Sequence, residues 1–228
     1  DLEVISNGID LKKYKKKLTP ESAKKKLSLP EKPLILFVGR LDKEKNIDVL
    51  LNALSELDSK LDYHVVVAGK GKELDSLIQQ AQELHLSTRV TFTGYVPDEK
   101  LRLFYNAADI FVMPGIAELQ SLVTMEAMAT GLPVIGADAV ALPHLIKNNR
   151  NGYLFQPGNS KDLAKKLTKL LSDVKLRQKM GEESLVLIQA HNMDTVIDRV
   201  LEVYRDLLKK YQTTPQDYSG EKGMEIDE

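Results

Sequence analysis

Two stretches of the sequence combine residue types able to hold a charged, hydroxyl-rich ligand. The first, Gly39-Arg40-Leu41-Asp42-Lys43-Glu44-Lys45, directly follows an apolar run at Leu34–Val38. Gly39 lets a phosphate approach the backbone, the planar fork of Arg40 can grip two phosphate oxygens, and Lys45 adds a second cation beside an expected helix N-terminus. Alone, this loop reads equally well as a solvated charged turn. The second stretch runs from Pro114 to Glu126 and places two carboxylates, Glu118 and Glu126, across the start of a helix. If that helix begins near Ser121, the backbone N–H groups of Ser121, Leu122 and Val123 have no intrahelical acceptor and face the ligand. A carboxylate accepts two hydrogen bonds at once, so Glu126 suits a ribose diol and Glu118, on the loop before the helix, suits sugar hydroxyls. A merely solvent-facing Glu126 would not sit among Val123, Met125, Ala127, Met128 and Ala129.

Other chemistries lack their residues. Neither the Gly-x-Gly-x-x-Gly of a dinucleotide site nor the Gly-x-x-x-x-Gly-Lys-Ser/Thr of a P-loop occurs, and Gly69-Lys70-Gly71-Lys72 reads as a tight turn about as readily as a phosphate cradle. The chain has no cysteine, no Asp-x-Asp pair and four scattered histidines, His64, His85, His144 and His191, without metal-ligand spacing. A metal-independent route without a protein-bound cofactor is expected, and no nucleophilic triad is supported.

The elements that must position these residues alternate. Leu34–Val38 is a continuous apolar run that reads as a parallel strand buried on both faces, and further strands are expected at Tyr63–Ala68, Arg89–Phe92, Asp109–Met113, Pro133–Gly136 and Gly152–Phe155. Helical periodicity falls between them, at about 46–57, 72–85, 97–106, 121–130 and 142–147. Further helices are expected at 160–172, capped by Asn159, then at 174–190 and 194–211. Strands separated by helices imply an α/β fold, a Rossmann-like doubly wound parallel sheet that binds ligands at the carboxyl edge of its strands.

Ordered motifs along most of the chain resemble the retaining glycosyltransferases of family 4, which have the GT-B fold and include bacterial mannosyltransferases, sucrose synthase-like enzymes and many lipopolysaccharide and capsule transferases. They are Val4-Ile-Ser-Asn-Gly-Ile-Asp10, Val38-Gly-Arg-Leu41, Lys45, Val67-Ala-Gly69, Phe92-Thr-Gly-Tyr-Val96, Ala107-Ala-Asp109, Glu118-x7-Glu126, Ala127-Met-Ala-Thr-Gly-Leu-Pro-Val-Ile135 and Asn151-Gly-Tyr-Leu-Phe155. The resemblance implies a donor-binding half that takes a nucleoside-diphosphate sugar, UDP- or GDP-linked, and transfers its hexose with retention to a saccharide or lipid-linked acceptor held by the other half. It assigns the diphosphate to Arg40 and Lys45, the base to backbone groups of Gly94, Tyr95 and Val96, the ribose to Glu126 and the donor sugar to Glu118. The sequence departs from the family pattern at Gln120-Ser121 where Phe-Gly is usual, at Asn46 where Gly is frequent and at Ser6 where Pro is common. Gln120 adds donors and an acceptor where the hexose should lie, so unusual selectivity is expected. A non-catalytic module of the same fold and a sugar-nucleotide epimerase remain as rivals, and the donor base, the hexose and the acceptor stay open.

Composition bounds the partners. With 32 Lys plus Arg against 33 Asp plus Glu, the net charge of −1 offers nucleic acid no global attraction. No apolar run approaches the ~20 residues of a membrane span, and the cytoplasm is the expected compartment. Lys12–Lys17 and Lys24–Lys26 form a local cationic region, read first as a solvated linker and short helix and second as a peripheral contact with an anionic membrane. The opening Asp1–Ile5 reads as the end of a strand, so the chain is expected to be an excised half. The expected division is a linker strand and short basic helix at 1–30, the nucleotide-sugar-binding domain at 31–192, a crossover helix at 193–212 and a disordered tail at 213–228. Val196, Val200, Val203, Leu207 and Leu208 form an apolar stripe on that last helix, whose exposure would favour self-association.

Overall fold

The computed structural model describes residues 3–213. In chain order these form α1 (Leu11–Tyr14), α2 (Pro20–Lys26), β1 (Leu34–Val38), α3 (Ile47–Ser55), β2 (His64–Ala68), α4 (Leu74–Glu83), β3 (Val90–Gly94), α5 (Asp98–Ala107), β4 (Ile110–Met113), α6 (Leu122–Ala129), β5 (Val134–Ala137), α7 (Leu142–Leu145), β6 (Gly152–Phe155), α8 (Ser160–Ser172), α9 (Val174–Leu187) and α10 (Met193–Thr213). Short 3-10 turns cover Lys43–Lys45 and Ile188–His191.

The six strands pair in parallel in the order β3-β2-β1-β4-β5-β6. The chain starts at the centre, works outward to β3, then returns across β1 to begin the second half at β4. The order therefore reverses between β1 and β4, and the crevice above the carboxyl ends of those strands is where an open sheet of this kind receives a ligand. Every residue of β1, β2, β4 and β5 is buried, which is why their runs carry no polar alternation. Leu34, Ile35, Leu36 and Phe37 are wholly inaccessible, and such a side chain typically contributes ~1.5–3 kcal/mol through burial. Local chemistry sets the helix starts. Asn159 accepts from the Asp162 N–H at 3.0 Å, Asp173 accepts from the Leu176 N–H at 2.9 Å, and Pro20 stands in the first turn of α2 behind the Thr19 cap.

Three expectations change. Residues 3–8 form no strand, and the pairing expected there reduces to one parallel bridge between Ile9 and Asn192. Lys24 does not belong to the solvated cationic region. It is buried and paired with Asp109 at 2.7 Å, and the same carboxylate accepts the Leu34 N–H at 2.8 Å, so α2 is fastened to the start of β1. On α10 the valines at 196, 200 and 203 are half-buried, while Ile197, Leu201, Tyr204, Leu208 and Tyr211 form an exposed stripe beside them. Thr213 closes α10, and the rest of the expected tail, 214–228, lies outside the described residues.

Candidate active site

The loops after β1 and β4 meet across the switch point. The first leaves β1 at Gly39, turns through the 3-10 segment and enters α3 at Asn46, whose left-handed backbone (φ 49°, ψ 42°) only Gly, Asn and Asp adopt readily. Asn46 is therefore a tolerated substitute for the family's frequent glycine. This loop is supported from behind by the turn after β2. The Leu41 N–H donates to the Lys70 carbonyl at 3.0 Å and the Glu73 N–H to the Leu41 carbonyl at 2.9 Å. A Cβ at Gly69 would lie 1.8 Å from the Gly39 carbonyl oxygen and one at Gly71 2.3 Å from that of Leu41. These glycines serve close backbone packing, which gives Gly69-Lys70-Gly71 its structural reason as a turn.

The two cations of the loop differ in setting. Arg40 is held by its own loop, Asp42 at 2.9 Å and Glu44 at 3.3 Å, with 73% of its side chain exposed. Lys45 reaches across the crevice and pairs with Glu118, and both side chains are largely enclosed. A second tie runs alongside, from the Ile116 N–H to the Glu44 carbonyl at 3.2 Å. Lys45 and Glu118, singled out on separate loops, thus form one unit that joins the loops.

Glu126 lies on α6 beyond this pair and is half-buried. Its Oε1 accepts from the Tyr14 hydroxyl and its Oε2 from the Tyr105 hydroxyl, both at 2.7 Å. Burial, then the bond to Glu126, raises the Tyr14 phenol above its ordinary value. For Tyr105, burial and the adjacent Glu126 charge raise it well above. Both stay protonated donors, leaving the carboxylate as acceptor. Tyr105 is fully buried and tilted against Phe111, and Tyr14 meets it edge-on with ring centroids 6.1 Å apart. Neither tyrosine was marked by spacing. They lie 112 and 21 residues from Glu126, and only the packing of α1 and α5 against α6 brings them there.

At the helix start, Ser121 is buried with its hydroxyl 2.8 Å from that of Thr124, and the Leu122 N–H donates to the Gln120 carbonyl. Leu122 is exposed and Val123 half-buried. The Gln120 side-chain oxygen accepts the Asn7 N–H at 2.9 Å, so the residue that departs from the family pattern also holds the segment before α1. A hollow of about 450 Å³ opens beside it, lined in part by Leu119, Val140, His144 and His191. Gly94, Tyr95 and Val96 stand farther along the same edge, at the end of β3. Gly94 has φ 66°, its carbonyl accepts the Gly69 N–H at 3.0 Å, and the exposed Tyr95 ring lies 5.6 Å from the Lys70 ammonium. His64 bonds the Thr91 hydroxyl at 2.9 Å, and burial lowers its imidazole below the ordinary value.

The family described as glycosyl transferases group 1 matches residues 19–185. A D-inositol 3-phosphate glycosyltransferase of Nocardia farcinica is 32% identical over 219 residues, 92% of this chain and 48% of that protein. A sulfoquinovosyl transferase of Arabidopsis thaliana is 31% identical over 186 residues, 79% of this chain and 35% of that protein. The chain thus spans half or less of the length of these relatives. Among solved structures, sucrose-phosphate synthase from Thermosynechococcus elongatus superposes with a TM-score of 0.81 at 28% identity, over 91% of this chain and 53% of that one. Anabaena HepE, solved with UDP, gives 0.81 at 25% identity over 90% and 57%. The six-stranded parallel sheet is that of the Rossmann-like GT-B fold. The chain belongs to the glycosyl transferases group 1 family.

Proposed function

We propose that this chain is the donor-binding half of a metal-independent hexosyltransferase that takes a nucleoside-diphosphate sugar and transfers the hexose with retention to a saccharide or lipid-linked acceptor. The observation that carries the reading is the Lys45–Glu118 unit at the switch point, with Arg40 on one side and the start of α6 on the other. A diphosphate placed there meets two cations and the start of α6, where the Leu122 N–H is already given to the Gln120 carbonyl, and the cations with the helix dipole stabilise negative charge without a divalent ion. Glu126 retains acceptor capacity on both oxygens for a ribose diol. Gly94, Tyr95 and Val96 present backbone groups to the base, and Glu118 and Gln120 border the hexose.

In the reaction, the acceptor oxygen bonds to the anomeric carbon on the face from which the diphosphate departs. The bond from that carbon to the phosphate oxygen breaks, and the acceptor proton passes to the departing oxygen. Arg40 and Lys45 stabilise charge that grows on the diphosphate as this bond breaks. The test is calorimetry with UDP, GDP, ADP and their sugars on this chain, joined to transfer assays on the full-length protein with and without a chelator and NMR of the product anomer. Tight diphosphate binding, chelator-insensitive transfer and a retained anomer are expected. Donor binding without turnover in the full-length protein would leave only a binding module.

A further inference from the structure

Several basic residues of the N-terminal segment gather at a pocket that Arg40, Lys45 and Glu118 do not line. Lys15, Lys17, Lys26 and Arg102 line one pocket of about 330 Å³, together with Lys13, Tyr14, Asn106, Thr130 and the single carboxylate Glu99. Lys13 is paired with Asp98 at 3.4 Å. Among the described residues, Lys15, Lys17, Lys26 and Arg102 have no acidic partner within salt-bridge distance, in contrast to Lys24, Lys45 and Arg40.

A buried side chain fixes the gathering. Asn106, near the end of α5, accepts the backbone N–H groups of Lys17 and Leu18 at 2.9 and 3.1 Å and donates to the Arg102 carbonyl at 2.6 Å. The lysine turn is thereby stapled to α5 beside Arg102, and like charges are held together that would separate on a free linker. Thr130 places the pocket at the end of α6 opposite the helix start that faces the switch point, so it lies away from Arg40 and Lys45.

We propose that this pocket binds the phosphate group of an anionic lipid headgroup and sets this half of the molecule against a membrane surface. Unpaired cations converging on a concavity with one carboxylate fit a phosphate ester. Its size suits a single headgroup rather than the extended track of a nucleic-acid backbone, and the net charge of −1 leaves no wider basic field for one. Lys12, Lys16 and Lys25 are exposed on the same segment and add charge around it.

The experiment is flotation of the 228-residue chain with phosphatidylcholine vesicles with and without phosphatidic acid, beside calorimetry with glycerol 3-phosphate. Wild type should bind only the acidic vesicles, less so as salt is raised. Lys17→Ala with Arg102→Ala should weaken binding on the order of tenfold or more, at about fivefold per cation lost. Lys60→Ala with Lys161→Ala, which removes the same charge from exposed positions elsewhere, should change it little. Asn106→Ser keeps the charge and loosens the staple, so weakened binding by a variant that still melts cooperatively supports a built pocket. Glycerol 3-phosphate binding that falls in the same pocket variant would support the pocket with a soluble phosphate ester as the source. The proposal is overturned if wild type binds neither acidic vesicles nor glycerol phosphate, or if the two double variants lose binding equally.

Discussion

Arg40 and Lys45 share a loop but not a setting, and their variants should separate accordingly. Arg40 is exposed, so Arg40→Ala should leave stability within ~0.5 kcal/mol of wild type while weakening diphosphate binding roughly ten- to a hundredfold. Lys45→Ala should lose diphosphate affinity similarly and also cost about 3 kcal/mol of stability, because Glu118 is left enclosed without its counter-ion. Removing both partners, Lys45→Ala with Glu118→Ala, should recover part of that stability and none of the affinity. Denaturant titration and calorimetry with UDP, GDP and the matching monophosphates check this, and equal stability losses for Arg40→Ala and Lys45→Ala would contradict the assigned settings. Glu126 offers a second comparison. Glu126→Gln should weaken nucleotide binding and abolish the preference for ribose over 2',3'-dideoxyribose ligands, whereas Tyr14→Phe, which frees Oε1, should preserve that preference. Tyr105→Phe removes a buried donor and should cost ~1–3 kcal/mol instead. The raised phenols add a pH effect. Unfolded tyrosine loses its proton near pH ~10 while the folded phenols hold theirs, so this stabilisation is complete below that pH and declines as pH rises above it.

At the scale of elements, the turn after β2 and the loop after β1 behave as one piece. Gly69→Ala should push a methyl into the Gly39 carbonyl, lower stability by more than about 2 kcal/mol and impair diphosphate binding with Arg40 and Lys45 untouched. A circular dichroism melt alongside calorimetry would show both, and an unperturbed Gly69→Ala would refute the close packing. What the sequence displayed and what it hid follow from the same physics. Strands buried on both faces, such as Leu34–Val38, announce themselves as unbroken apolar runs, and side-chain caps such as Asn159 mark helix starts. α1 and the Lys43–Lys45 turn are too short to show a period. Glu118 and Lys45 could be named as site residues because they stand on loops at strand ends. Their mutual pairing, and the two phenols on Glu126, depend on how separate elements pack and left no trace in spacing. Lys24 shows the converse, since a basic run looks uniform in sequence while one member turns inward to Asp109.

For the whole molecule, α10 carries an exposed stripe, Ile197, Leu201, Tyr204, Leu208 and Tyr211, along a helix whose adjacent valines are only half-buried. An apolar face of this length favours association, so the 228-residue chain should sediment faster as concentration rises. Leu201→Lys with Leu208→Lys should restore concentration-independent sedimentation, and no change on that substitution would exclude the stripe as the contact. The tie across the crevice has a different consequence, one for turnover. On the proposed function, a diphosphate arriving at Lys45 would compete with Glu118 for the ammonium, and its measured affinity would be the difference between two ion pairs. In the proposed reaction the carboxylate, still covalently tethered at high local concentration, would recapture the ammonium after transfer. On that reading Glu118 would be a built-in rival to the spent nucleotide, hastening its departure and guarding against inhibition by accumulated product.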